Sequence, residues 1–249
     1  MSTETIAGPQ DIARLGTILG VWAHPDDETY SMAGIIASAI LAGQKVICIT
    51  ATRGEAGVQD EARWPAGQLA AIRSSELASA YALLGVKNHY WLDYPDGGCS
   101  QVNAEAAVDR IAALITTYNP DSIFTFGLEG LTGHDDHKTV SKWTTLAAQQ
   151  TGSKAVIYHV VQTTEQYKSM QVADEQFNIF FNIKKPPLCR QGHCAIHFVL
   201  PEDLFQIKLS ALKAMPSQTE AMLKQFEDSL RSSFGTEAFI IGIGKSHQR

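Results

Sequence analysis

The chain has little cysteine, four residues in 249. That is too few for a disulfide framework, and it makes a reducing cytoplasm the default setting. It also lacks basic runs: 20 Lys plus Arg stand against 26 Asp plus Glu, for a net charge of -6. A nucleic-acid partner is therefore not expected, because such a protein needs a positive footprint on the phosphates. No apolar run reaches the roughly 18–20 residues that span a bilayer. The first residues, Met1 to Gln10, have neither a basic start nor an apolar core, so no signal peptide is expected. What is present is a globular mixture, 45% hydrophobic and 18% charged. The length fits one large domain or two small ones. Residues 1–249 read as a single domain, with a core over about 15–161 and a C-terminal elaboration over about 162–249.

Short apolar runs alternate with helical patterns through the first 160 residues. Strands are expected at Thr17–Ala23, Lys45–Ala51, His89–Tyr94, Ser122–Leu128 and Ala155–Val161. Helices are expected at Ser31–Ala42, Ala66–Leu84, Asn103–Tyr118 and Asp136–Gln150, with Asn103 as an N-cap. Runs such as Val46-Ile47-Cys48-Ile49 are apolar on both faces, as buried parallel strands are. The expected fold class is α/β: a Rossmann-like three-layer sandwich with a mostly parallel sheet. After Val161 a polar stretch, Gln162–Gln176, precedes the apolar Phe177–Ile183 and a Lys-Lys-Pro-Pro break. Ile196–Leu200 and Ala238–Gly242 read as strands, and Glu202–Ala214 and Gln218–Leu230 as helices, all packed on the main sheet.

Two clusters carry the chemistry. Ala23-His24-Pro25-Asp26-Asp27-Glu28 closes the first strand, where open parallel sheets bind ligands. One imidazole and two carboxylates in four residues suit a borderline metal such as zinc, although the same residues could form a solvated acidic turn. Gly133-His134-Asp135-Asp136-His137 follows the Ser122–Leu128 strand, again at its carboxyl end. There, helix capping with two surface histidines is the plainer reading. Together, however, the two strand ends can bring His24, Asp27 and His137 around one ion. Three protein ligands with an open position is a catalytic pattern, not a structural one.

These motifs resemble the LmbE-like (PIG-L) zinc deacetylases, whose members hydrolyse N-acyl groups on glucosamine-containing substrates. Further matches are Thr52-Arg53-Gly54-Glu55-Ala56-Gly57, Arg73-Ser74-Ser75-Glu76-Leu77, Asp96-Gly97-Gly98, and Lys208 with Ala211-Leu212 and Ser217-Gln218. The resemblance runs from about residue 17 to 220. It departs at Asp135, where the family has proline, and at Met215, where it often has histidine. It implies a metal-dependent N-deacetylase with His24, Asp27 and His137 holding zinc, iron being the alternative. Asp26 is then the general base, His134 stabilises the oxyanion in protonated form and protonates the leaving amine, and Asp136 orients His134. Arg73, Glu55 and Asp96 resemble substrate-binding positions, with Arg53 a further candidate. The implied partner is a small amino sugar, and a homo-oligomer is compatible with the variable segment after Val161.

Other candidates are weaker. Cys189, His193, Cys194 and His197 could assemble a structural zinc, but two thiols and a loop histidine are the simpler reading. Gly127, Gly130 and Gly133 fit no phosphate-binding spacing and read as turn formers. Trp22, Trp64, Trp91 and Trp143 read as core or pocket walls, and His89 and His159 as structural. Two other functions share the motifs: a metallo-phosphoesterase, which needs a second metal, and a catalytically silent sugar-binding protein.

Overall fold

A computed structural model of the chain describes residues 5–177, 179–180 and 182–242. Its first half is a run of parallel βαβ units: β1 (Ile18–Trp22), α1 (Asp27–Leu41), β2 (Val46–Thr52), α2 (Ala66–Leu84), β3 (Asn88–Tyr94), α3 (Ala104–Tyr118), β4 (Ser122–Phe126), α4 (Asp135–Gln150) and β5 (Val156–Thr163). The side chains of β1, β2 and β4 are buried along their whole length. This is what continuous apolar runs require when helices cover both sheet faces. Helices α1 and α2 pack together, as do α3 and α4. Asn103 caps α3, its side chain accepting the Glu105 and Ala106 N–H groups.

The C-terminal part extends the same sheet: α5 (Thr164–Phe177), β6 (Leu188–Cys189), β7 (Ile196–Val199), α6 (Glu202–Lys213), α7 (Pro216–Gln225), α8 (Leu230–Phe234) and β8 (Thr236–Ile241). The strand order is β3-β2-β1-β4-β5-β8-β7, with β6 paired to β5. β8 runs antiparallel to β5 and to β7. The order reverses between β1 and β4, so their carboxyl ends form the crevice where such sheets bind ligands.

Several boundaries differ from the sequence expectation. The polar stretch after Val161 is mostly helix, and the helix expected at Gln218–Leu230 is divided between α7 and α8. The apolar Phe177–Ile183 run falls partly outside the described residues, at positions 178 and 181. Cys189 and Cys194, read as thiols, are paired as a disulfide, since the Arg190–His193 turn brings their Cα atoms to 5.8 Å. No helix among the described residues is long and apolar enough to cross a membrane.

Helix α1 begins at Asp27, four residues before the expected start, and its backbone breaks at Met32 (φ -148°, ψ 20°). The amides freed by the break are captured from the far end of the chain. Glu237 of β8 accepts the Gly34 N–H at 2.8 Å and the Ile35 N–H at 2.9 Å. Lys208 of α6 donates to Glu237 at 2.9 Å and to the Tyr30 carbonyl at 2.7 Å. Both charged side chains are 0% exposed. The first turn of α1 therefore stands apart from the rest of the helix and projects into the crevice.

Candidate metal centre

The loop after β1 turns sharply at Asp26, whose φ of 113° is left-handed and strained for a residue with a side chain. The turn leaves His24 and Asp27 on one side, and the His24 N–H donates to Asp27 Oδ2 at 2.7 Å. From the other strand end, α4 presents His137. His24 Nδ1 and His137 Nε2 are 3.1 Å apart. The Asp27 carboxylate lies 3.6 Å from the first and 3.4 Å from the second.

The remaining ring nitrogens fix the tautomers. His137 Nδ1 sits 2.9 Å from the Gly130 carbonyl, which can only accept, so that nitrogen carries the proton. Gly130 is held at φ 76°, a glycine conformation that aims this carbonyl. The His137 ring also stacks on Phe126, centroids 4.0 Å apart. His24 Nε2 faces two carboxylates, Asp96 at 3.0 Å and Asp136 at 3.3 Å. His24 Nδ1, His137 Nε2 and the Asp27 carboxylate thus face one another. Ligands at about 2.0–2.1 Å around a tetrahedral zinc are separated by roughly 3.3–3.4 Å. The 3.1–3.6 Å found here could hold a cation, and carboxylate or carbonyl partners on the outer nitrogens are how ligating histidines are held.

Burial disfavours charge on His24, but hydrogen bonds to Asp136 and Asp96 and the charge of Asp27 outweigh it, raising the imidazole to about 10. His137 moves the other way, well below its ordinary value, through burial and the charge on His24.

Asp26 stands beside this cluster. Burial pushes its carboxyl up to about 7, against the pull of Arg73. The Arg73 guanidinium donates to Asp26 Oδ2 at 3.2 Å, to the Pro25 carbonyl at 2.6 Å and to the Gly54 carbonyl at 2.7 Å. It is only 4% exposed, so a residue expected at the substrate instead braces Asp26 from behind. Any side chain at Gly54 would overlap it.

The other candidates are placed as follows. His134 lies across the pocket, its ring centroid 4.7 Å from that of His24. Its Nδ1 accepts the Asp136 N–H at 3.1 Å, so the ring proton is on Nε2. Burial and the charge on His24 hold it below its ordinary value, which favours the neutral ring over the protonated one expected from the sequence. Asp136 was expected to orient His134 with its carboxylate. That carboxylate instead meets His24 and accepts the N–H groups of Gly97 at 2.7 Å and Cys99 at 3.0 Å. Asp96 accepts the Ala56 N–H, and Glu55 accepts the Asp96 N–H, so these two carboxylates knit the β2 and β3 loops together. Arg53 is turned towards Asp93 and Ser74 and lies over the Trp91 ring. Asp135 is exposed and paired with Lys138, while Met215 is buried.

Sequence reasoning missed the Gly130 carbonyl, Phe126 and the two amides on Asp136. The glycine spacing of the β4–α4 loop was their one visible trace. Groups of candidate metal-holding side chains in the described residues are His24 with His134 and His137, and His24 with Asp96 and Asp136.

Residues 19–148 match the family described as PIG-L: GlcNAc-PI de-N-acetylase, a span that contains every residue of this centre. The chain belongs to that family. PIG-L proteins are metal-dependent, in keeping with the histidine and aspartate cluster. A relative from Nakamurella multipartita, named 1D-myo-inositol 2-acetamido-2-deoxy-alpha-D-glucopyranoside deacetylase, is 34% identical over 150 residues, 49% of this chain and 51% of the relative. The chain thus spans about half the length of the curated relatives it matches. Two solved structures share the PIG-L fold. The N,N'-diacetylchitobiose deacetylase from Pyrococcus horikoshii has a TM-score of 0.66 at 23% identity, covering 94% of this chain and 87% of that one. The A40926 pseudoaglycone deacetylase has a TM-score of 0.63 at 19% identity, covering 93% and 99%.

Proposed function

We propose that the chain is a zinc-dependent hydrolase that removes an N-acyl group from a glucosamine-containing small molecule. The observation that carries this reading is the convergence of His24 Nδ1, His137 Nε2 and the Asp27 carboxylate beside a carboxyl raised to about 7. Imidazole and carboxylate donors suit zinc, and they suit iron as well. Held by His24, Asp27 and His137, the ion would polarise the amide carbonyl and lower the pKa of water from ~15.7 to near 7.

The chain's own residues do the rest. Asp26 takes a proton from the attacking water, as a carboxylate held within its reach can. Arg73, anchored on the Pro25 and Gly54 carbonyls, keeps the carboxylate pointed inward. His134, with its proton on Nε2, donates to the carbonyl oxygen as negative charge builds there. As the carbon–nitrogen bond breaks, the proton held on Asp26 passes to the leaving nitrogen. A free amine and a carboxylic acid result. Asp96 and Asp136 hold the His24 ring. Glu55 accepts the Asp96 N–H and so holds the loop that carries Asp96 against His24. The name of the Nakamurella relative supports a glucosaminyl substrate.

The test is amine release from N-acetylglucosamine and from its inositol glycoside. Zinc-loaded protein is expected to release amine, a chelator to stop it, and added zinc to restore it. Phosphate release from simple esters with two metal equivalents would favour a phosphoesterase, and sugar binding without turnover a binding protein.

A further inference from the structure

A cavity of about 190 Å³ opens directly against Asp27 and His137, on the β5 and β8 side of the centre. The opposite side, formed by the β2 and β3 loops, is polar, with Glu55, Asp96 and the Asp26–Arg73 pair. The cavity wall is largely aliphatic and aromatic: Leu131, Val160, Val161, Met170, Phe234 and Ala238. Three of its buried polar side chains, Gln166, Ser233 and Glu237, are committed to the protein, while the Tyr30 hydroxyl and Gln162 Oε1 on the same wall have no partner among the described residues. Gln166 exchanges hydrogen bonds with the Thr163 N–H and the Thr236 carbonyl. Glu237 is taken by Lys208 and by the Gly34 and Ile35 amides.

An N-acylated amino sugar has the same division. A polyol lies on one side of the scissile amide and an apolar chain on the other. With the amide at the centre and the sugar on the polar loops, the acyl chain must run into this cavity. Its size is far beyond what an acetyl methyl needs. A 150 Å³ apolar cavity already holds the six carbons of a benzene ring, and this one is somewhat larger. Burying each further methylene improves binding by up to about fourfold, from ~0.8 kcal/mol apiece.

We infer that this chain prefers N-acyl groups longer than acetyl, of about four to seven carbons, with the cavity beside Asp27 and His137 as the acyl subsite. The inference rests on the hydrolase reading above. The chemistry is unchanged: water gives its hydroxyl to the acyl carbon and its proton to nitrogen, and the chain leaves as a carboxylate.

The experiment measures kcat/KM by amine release on N-acetyl-, N-butanoyl- and N-hexanoylglucosamine with zinc-loaded protein. The expected result is a rise of at least tenfold from acetyl to hexanoyl. Filling the cavity from two directions, with A238L on β8 and M170W on α5, is expected to cut the hexanoyl-to-acetyl ratio at least tenfold. Since either variant could fold poorly, the ratio within each variant is the readout, and calorimetric binding of hexanoate against acetate to the unsubstituted protein stands beside it. A kcat/KM that stays level or falls from acetyl to hexanoyl, or hexanoate bound no better than acetate, overturns the acyl subsite and leaves the hydrolase intact. Amine release from none of the three overturns the hydrolase reading and the subsite with it.

Discussion

Asp26 joins three features that would each be costly alone: a left-handed backbone, a buried carboxyl and a like-charged neighbour in Asp27. Arg73 makes the combination tenable, since its guanidinium offsets the charge and ties down both Pro25 and Gly54. Two substitutions separate base from brace. Asp26→Asn should retain the metal while kcat falls on the order of 100–10,000-fold. Arg73→Met should also lower kcat, but with a shifted acid limb in the pH–rate profile, because Asp26 loses the positive charge that holds its carboxyl down. Normal turnover in the first variant would remove Asp26 from the role. A second residue, His89, reports on acid stability. It is half-buried between Tyr81 and Trp91, and burial together with the charge of Arg53 lowers its imidazole to about 4. The unfolded chain, titrating near 6.5, then binds the proton first as pH falls. His89 therefore costs the fold nothing above about pH 6.5 and draws stability down from there to about pH 4, by at most ~1.4 kcal/mol per pH unit. Denaturant midpoints for His89→Gln should fall less steeply across that window than those of the unsubstituted protein, and equal slopes would contradict this.

At the scale of elements, the break in α1 is the feature that positions the centre, because Asp27 sits on the detached first turn. Nothing local announces it. Met32 and its neighbours form an unremarkable apolar helix pattern, and Glu237 of β8, which accepts the freed amides, and Lys208 of α6, which donates to the Tyr30 carbonyl, lie about 200 positions away. The strands of the parallel half are legible for the opposite reason: two-sided burial demands uninterrupted apolar runs, and Val46–Thr52 or Ser122–Phe126 can be little else. Helix α5 was read only as a polar stretch, since its sequence shows a weak apolar face. β6, two residues long, takes its pairing from β5 and carries no periodicity to read. The buried Lys208–Glu237 pair offers a direct test of the α1 break. Lys208→Met leaves Glu237 charged without its partner, and losing one member of a buried pair costs about 3–5 kcal/mol. The denaturant midpoint should drop with little change in slope, and metal occupancy should fall with it as the first turn loosens. A cost below about 1 kcal/mol would mean that other contacts hold the break.

For the whole molecule, the centre bridges the two halves of the sheet at the point where strand order reverses. His24 and His137 are 113 residues apart in sequence and come from opposite sides of that crevice. The sequence brought out this convergence because both motifs sit at carboxyl ends of strands, and parallel strands put those ends together whatever the loops do. It could not say which ring nitrogen faces inward, since that depends on the Gly130 carbonyl and on Asp96, set by loop conformation. A bound ion is therefore a cross-link that the unfolded chain cannot form, and its removal must be felt globally. At 100 times its dissociation constant, a ligand specific to the native state adds about 2.7 kcal/mol, roughly 5–10 °C in Tm for a chain of this size. Chelation should lower Tm by that order in the unsubstituted protein and in Glu55→Gln, which leaves the three donors in place. In His137→Ala the chelator should change nothing, because two donors no longer retain the ion. An undiminished chelator effect in that variant would put the ion somewhere other than between β1 and β4.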